Sequence, residues 1–567
     1  MSDQSINASV SEKQMPFQKY KPFKSVSLPD RTWPDQTITE APRWCSVDLR
    51  DGNQALIEPM TPKQKRKMYD LLIELGFKEI EVGFPAASQT DYDFVRMIIE
   101  ENLVPDDVAI QVLCQAREEL IARTFEAVQG AKKVIFHLYN STSTVQRKVV
   151  FNMSREEVIK LATDATEVVK RYAREAEAGG TEITLEYSPE SSTAPEMDFA
   201  VEICDAVMKV WQPTVERPMI LNLPSTVEMA TPNVYADQLE WFIRHLPERE
   251  KAVISLHTHN DRGTGIAASE LGLMAGADRI EGTLFGNGER TGNCDVITMA
   301  MNLFSQGVDP KLYLSDMPKI VAIAEECTKI PVHVRQPYAG ELVFTAFSGS
   351  HQDAIRKGMV AVKEGSQENW EVPYLPIDPA DVGSSYRETV RVNSQSGKGG
   401  VAFVLENYYA VSLPRAMLLE FSPVVQQFSE SDGGELSPDE IWDLFVREFI
   451  DVEGPYQLID YQVHAESESL ETCEAHIKVG ENEMTVKGSG SGPIDAFVAG
   501  LVETLNEPLN VVEYQEYALN EGKEAQAICI LAITDDKQDK YYGVGISQNT
   551  ITAAFKSIIA AINRKWQ

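Results

Sequence analysis

The stretch AVISLHTHNDRGTG, residues 252–265, decides how the chain is read. AVISL has the unbroken apolar character of a strand buried on both faces. It runs straight into His257 and His259, and side chains two apart on a strand share a face. Two imidazoles therefore point the same way from one rigid element. A buried strand that ends in polar residues recurs along the chain: WCSVDL leads into DLRDGNQ, EIEVGF into GFPAAS, KVIFHLY into HLYNSTS, TEITLEY into EYSPESS, PMILNL into NLPSTVE and DRIEGTLF into GNGERTGN. With VAIQVL this makes eight strands. Between them lie stretches of helical spacing such as KQKRKMYDLLIELG and REEVIKLATDATEVVKRYAREAEAGG. That alternation over ~290 residues predicts an α/β fold, a (β/α)8 TIM barrel, in which all C-terminal strand ends gather on one face and carry the site. An open doubly wound sheet is the alternative, but no GxGxxG follows the first strand.

A chain of 567 residues is too long for one core. Residues 1–40 read as an N-terminal arm with little core of its own, and residues 41–327 as the barrel. Residues 328–430 read as helical linker subdomains. Residues 431–567 read as a duplicated α+β domain: YQLIDYQVHA to GSGSG, then PIDAFVAGLVETLN, is echoed by VVEYQEYALN to GVGIS, then TITAAFKSIIAAIN. Each copy is expected to be a set of strands closed by a glycine turn and followed by an amphipathic helix. The domain holds no strong catalytic constellation, which points to regulation or assembly. SPDEIWDLF opens it with a capping box, Ser437 and Glu440.

The net charge of −34 argues against nucleic acid or an anionic membrane as partner. Seven scattered cysteines without a CxxC suit reduced thiols in a cytosol. The opening MSDQSINASVSEKQ lacks an apolar segment, so no signal peptide is expected, and no run is long enough to span a bilayer. A cytoplasmic location follows.

Two imidazoles on one strand face suit a divalent metal, with an oxygen ligand to complete the set. Asp51, at the end of the first strand, is the best candidate, and Asn293 after the eighth strand offers an amide oxygen. The plain alternative is two core-edge histidines bonded to backbone. Arg50 reads as a surface ion pair or as fixed positive charge for an anionic substrate or a developing oxyanion. Glu190 reads as a substrate contact, a supporting acid or an ion-pair partner. Thr226 reads as a carboxylate contact or a helix cap.

DLRDGNQAL, HTHNDRGTG, GNGERTGN, NLPSTVEMATPN and RVNSQSGKGG together resemble the 2-isopropylmalate synthases, among the metal-dependent Claisen-condensing barrels. SGSHQDAI, YLPIDPADVG and the duplicated C-terminal domain resemble the longer form of that family. The resemblance implies a transferase of leucine biosynthesis. It condenses acetyl-CoA with 3-methyl-2-oxobutanoate to 2-isopropylmalate and CoA, and leucine inhibits it. It implies Asp51, His257, His259 and Asn293 as ligands of one divalent metal (Mg, Mn or Zn), and it admits a monovalent cation as activator. Arg50 and Glu190 would serve catalysis, and His137, Ser188 and Thr226 would line the keto-acid pocket. His351 and Tyr386 resemble the pair that serves the acetyl-CoA half-reaction. From the sequence itself those two read as structural. Both lie outside the barrel stretch, so a partner subunit is expected to deliver them, which implies a homodimer. The rivals are citramalate or homocitrate synthesis, a retro-aldol lyase, a non-haem iron oxygenase (whose all-β fold does not fit) and a non-catalytic ligand-binding sensor.

Overall fold

Eight strands, β1 (Arg43–Ser46), β2 (Glu79–Gly83), β3 (Ala109–Gln115), β4 (Lys133–Ser141), β5 (Glu182–Glu190), β6 (Met219–Ser225), β7 (Ala252–Thr258) and β8 (Arg279–Gly282), close into a parallel barrel in chain order, with β1 pairing to β8. The computed structural model describes residues 15–191, 196–346, 349–363, 365, 369–386, 397–432, 436–467, 469–520, 522, 525–535 and 539–566. The chain forms two compact units, residues 1–343 with 380–384 and residues 344–379 with 385–567. The expected RVNSQSGKGG motif falls largely outside the described residues, as do the first fourteen residues of the arm.

Local sequence explains the helices that wrap the barrel. Thr61 and Gln64 form a reciprocal capping box in front of Pro62–Glu74, with Pro62 in the first turn, where its missing N–H is harmless. Ser154 and Glu157 do the same for Arg155–Ala178. Strand residues alternate between helices outside and the barrel axis inside. Inward positions form layers. Ile135, Ile220 and Val253 pack with Ala109 in an apolar layer. Two residues further along the same strands stand His137, Asn222, Ser255 and Gln111, all buried. Arg279 is wholly buried. It donates to Ser255 at 2.7 Å, Glu281 at 2.9 Å and Gln111 at 2.7 Å, and its Nε donates to Glu79 at 2.5 Å. The barrel axis is therefore a hydrogen-bonded charge network above an apolar layer.

The first strand is shorter than WCSVDL suggested. It ends at Ser46, and Asp48–Gly52 wind into a π-helical turn. The buried Asp48 carboxylate accepts from Ser46 Oγ at 2.8 Å and from the Leu284 N–H at 3.1 Å, which fixes that turn beside β8. The arm is tied down where it reaches Pro232–His245. Arg31 Nε and Trp33 Nε1 donate to Asp237, and the Thr32 and Trp33 amides donate to Glu240.

In the second unit, β9 (Tyr456–Ser467), β10 (Leu470–Val479) and β11 (Asn482–Gly490) form one antiparallel sheet followed by the helix Pro493–Leu505. β12 (Asn510–Ala518), β13 (Ala527–Thr534) and β14 (Lys540–Ser547) form another, followed by Thr550–Lys565. The duplication expected from sequence is thus present in the fold. The two helices share a core in which the Phe497 and Phe555 rings stack with centroids 4.2 Å apart. The other face of the second sheet (Ile528, Ile530, Tyr542, Val544) packs with Phe421 of the linker and with Phe445 of the helix Pro438–Phe445. The expected glycine turns are not turns. Gly488, Gly490, Gly543 and Gly545 lie within β11 and β14. A Cβ on Gly488 would overlap the Ala496 carbonyl, and one on Gly545 the Ala553 carbonyl. These positions need glycine because a helix backbone crosses the strand there. Among the described residues no helix is long and apolar enough to cross a membrane.

Candidate active site

Asp51, His257 and His259 converge at the C-terminal end of the barrel, with one ligand atom from each within 4.8 Å of the others, and all three are buried. The imidazole centroids of His257 and His259 are 5.3 Å apart. β7 supplies His257, and His259 sits just past it, in an isolated antiparallel bridge with Asn293. The Cys294 amide donates to the Thr258 carbonyl at 2.8 Å and the Asn260 amide to Gly292 at 3.1 Å, so the loop after β8 is stitched to the end of β7. Gly292 has φ +95°, and a Cβ on it would overlap the Gly286 carbonyl. The GNGERTGN loop therefore depends on glycine at that position to bring Asn293 into place.

Three buried polar atoms at this point, Asp51 Oδ2, His259 Nδ1 and Asn293 Oδ1, have no hydrogen-bond partner among the described residues. Asn293 Nδ2 donates to the Asn287 carbonyl at 3.0 Å, which fixes the amide with its oxygen unpaired. Unpaired buried acceptors are costly, and a carboxylate, two imidazoles and an amide oxygen are the donor set of a divalent cation. The residues therefore fit a metal. His257 Nδ1 is 2.8 Å from Glu281 Oε2, so the carboxylate accepts that N–H and leaves Nε2 facing Asp51 Oδ2 at 3.4 Å. Burial pushes the Asp51 carboxyl up, but Arg50 and the two histidines outweigh it and hold Asp51 well below the usual carboxylate range. Burial alone would lower His257, yet the carboxylates of Asp51 and Glu281 raise it to about 9, while burial and His257 push His259 down to about 4. A second acid-rich group, His137, Glu186 and Glu281, lies deeper. Arg279 stands 2.9 Å from Glu281 and 3.4 Å from Glu186 and already supplies a positive charge there, so it suits a cation less well.

A cavity of about 190 Å³ opens beside these three residues. Of the residues singled out from the sequence, Arg50, Asp51, His137, Ser188, Glu190, Thr226, His257 and His259 all line it. Arg50 is not a surface ion pair: its side chain is only 10% exposed, with Nη1 at 2.7 Å from Asp51 and Nε at 2.5 Å from Glu81. Burial opposes its charge, but Glu81 and Asp51 more than compensate and raise its pKa. His137 Nδ1 lies 2.8 Å from Glu81 and its Nε2 2.7 Å from Ser188 Oγ. Glu190 accepts from Ser141 Oγ at 2.5 Å. Thr226 Oγ1 accepts the Ser191 amide at 2.9 Å, so it ties two loops together and does not cap a helix. Leu113, Pro224 and Tyr139 add apolar wall.

His351 and Tyr386 belong to the second unit. His351 stacks on Tyr374 with centroids 3.9 Å apart, and Tyr386 is buried. Sequence reasoning missed Glu81, Gln111, Asn222, Arg279 and Glu281. The signal was there: Glu79 and Glu81, and Arg279 and Glu281, are charged residues two apart on strands that otherwise read as buried, which places both members of each pair on the barrel axis.

The HMGL-like family matches residues 41–323, the alpha-isopropylmalate synthase post-catalytic domain-like family residues 341–406, and the LeuA allosteric (dimerisation) domain residues 435–566. The chain is 54% identical to a 2-isopropylmalate synthase of Parafrankia sp. (strain EAN1pec) over 97% of its own length and 98% of that protein. It is 54% identical to that of Rhodospirillum rubrum, with 97% and 98% covered, and 51% identical to that of Clostridium acetobutylicum, with 97% and 99% covered. With a barrel whose mouth gathers a metal-type donor set beside a small cavity, the chain belongs to the 2-isopropylmalate synthase family.

Proposed function

We propose that the barrel mouth condenses acetyl-CoA with 3-methyl-2-oxobutanoate, with Asp51, His257, His259 and Asn293 holding one divalent metal. The convergence of Asp51, His257 and His259 at the wall of the cavity carries this reading. When bound there, Mg, Mn or Zn supplies Lewis-acid polarisation of a chelated 2-oxo acid. The chain's own groups do the rest. His137, Ser188 and Thr226 orient the keto acid, and Leu113 and Pro224 face its branched alkyl group. A base takes a proton from the acetyl methyl group. The acetyl carbon then bonds to the keto carbon, and Arg50, locked by Glu81 and Asp51, stabilises the developing alkoxide. Water cleaves the thioester, releasing CoA and 2-isopropylmalate. Glu190 serves as a catalytic carboxylate at the pocket wall. His351 and Tyr386 serve the acetyl-CoA half-reaction, delivered by the partner in a homodimer. A monovalent cation acts as activator, and the buried free cysteines suit a cytoplasmic enzyme.

Residues 431–567 bind leucine as feedback inhibitor in this reading. A cavity of about 1040 Å³ lies between β12 and the starts of the two helices, lined by Ser491, Gly492, Ile494, Val502, Tyr514 and Ile551 among others. Helix N-termini favour a carboxylate, and the aliphatic lining suits an isobutyl side chain.

Thiol release from acetyl-CoA across a panel of 2-oxo acids, with and without leucine, tests the proposal. The highest kcat/KM is expected with 3-methyl-2-oxobutanoate, lowered by leucine. Preference for pyruvate or 2-oxoglutarate would replace it with citramalate or homocitrate synthesis, and no release with any acid would favour a sensor.

A further inference from the structure

We propose that Glu281 on β8 is a positioning residue that sets the polarity of the metal centre and of the acceptor pocket together; this rests on the reading of Asp51, His257 and His259 as metal ligands. Four donors meet its carboxylate. Oε2 accepts from His257 Nδ1 at 2.8 Å and from Asn222 Nδ2 at 3.0 Å. Oε1 accepts from Gln111 Nε2 at 2.8 Å and from Arg279 Nη1 at 2.9 Å. Glu281 is 1% exposed, so water cannot substitute for any of them.

The two bonds to Oε2 each decide which way a neighbour faces. Because Glu281 holds the Nδ1 proton of His257, Nε2, on the side of Asp51, is the nitrogen left to give its lone pair to a metal. Asn222 spends both amide hydrogens within the barrel, one on Glu281 and one on Ser188 Oγ at 3.1 Å. Its Oδ1 is then fixed as a buried acceptor without a partner among the described residues, in a side chain that lines the cavity. Ser188 Oγ in turn donates to His137 Nε2, since Nδ1 of that ring is committed to Glu81. One carboxylate thus orders a directional path from a metal ligand to the keto-acid side of the pocket. Arg279 and Gln111 hold the opposite oxygen, so the carboxylate cannot rotate away.

An amide in place of this carboxylate would present an N–H to two donors on one side or the other. With the N–H toward Oε2's partners, His257 must give up its tautomer and Asn222 must flip. The test uses full-length protein stripped by chelator and titrated with Mn²⁺ by calorimetry, together with kcat and KM for the 2-oxo acid. Glu281→Gln is expected to weaken Mn²⁺ binding ~10–100-fold, as second-sphere changes do, and to raise the acceptor KM. Asn222→Ala is expected to raise the acceptor KM while Mn²⁺ affinity stays within about twofold. Glu281→Asp keeps the charge that Arg279 requires and serves if the amide variant does not fold. Its shorter reach is expected to weaken Mn²⁺ binding at least about fivefold. A folded Glu281→Gln or Glu281→Asp protein with Mn²⁺ affinity and acceptor KM both within about twofold of the parent overturns the proposal. A parent that binds no Mn²⁺, or a His257→Ala variant that binds it as the parent does, overturns the ligand reading and this proposal with it.

Discussion

Inside the barrel, Arg279 is wholly buried among Glu79, Glu281 and Gln111. Inside the C-terminal domain, the space between sheet and helix is filled by Ala475, Ile477, Phe497, Phe555 and Ile558, with glycine where a strand meets a helix backbone. The physical difference is large. Buried ion pairs seldom stabilise relative to apolar packing and are strongly destabilising when one partner is removed. Apolar packing with close backbone approach stabilises and rigidifies, but it offers no charge to a substrate. The barrel accepts the electrostatic cost where fixed charges must aim Arg50, His137 and His257 into one small cavity. The cavity of the C-terminal domain is much larger, and Ile494, Val498, Val502, Leu509, Val511 and Ile551 line it beside a few polar groups.

The largest effect that would break this contrast is at the proposed metal ligands. His257→Ala should lower turnover by on the order of 10³-fold or more and reduce bound metal, read by thiol release and metal analysis. Full activity of chelator-treated protein would contradict it. Arg50→Gln comes next. It should lower kcat by ~10²–10³-fold, as loss of an oxyanion donor does, while Mn²⁺ remains bound; unchanged kcat would return Arg50 to a structural ion pair. Ending the chain after the helix Arg415–Asp432 should leave the barrel's metal binding in place and abolish the leucine effect, a coupling of ~5–150-fold where it is present. Leucine sensitivity that survives would place the effector elsewhere. The smallest effect sharpens the packing side: Gly545→Ala should cost about 1–3 kcal/mol by overpacking against Ala553. It would be seen as a lowered Tm, and an unchanged Tm would mean the helix is free to shift.

How much of this was legible follows the same contrast. The barrel and the His257/His259 pair could be read because polar residues at strand ends are out of place in a buried strand. Eight of the eleven residues singled out line the cavity. The supporting network was harder to see. Glu281 and Arg279 sit inside DRIEGTLF, a run that reads as a buried strand, and nothing local says that its two charges meet partners on the barrel axis. GSGSG and GVGIS resemble loops, so Gly488 and Gly545 look like turn glycines in the sequence. Only the position of the following helix shows that they are strand residues with no room for a side chain. His351 and Tyr386 carry no local pattern that separates a catalytic pair from a stacked and a buried ring.

One metal between Asp51, His257 and His259 is what the proposed chemistry requires. Crystals of the full chain grown with Mn²⁺ and 3-methyl-2-oxobutanoate, measured for anomalous scattering, test it most directly. A single strong peak is expected about 2.0–2.3 Å from the Asp51 carboxylate and from one nitrogen each of His257 and His259, with the keto acid lying against Arg50. A peak at His137, Glu186 and Glu281 instead, or no peak at Asp51 in crystals that hold the keto acid, would contradict it.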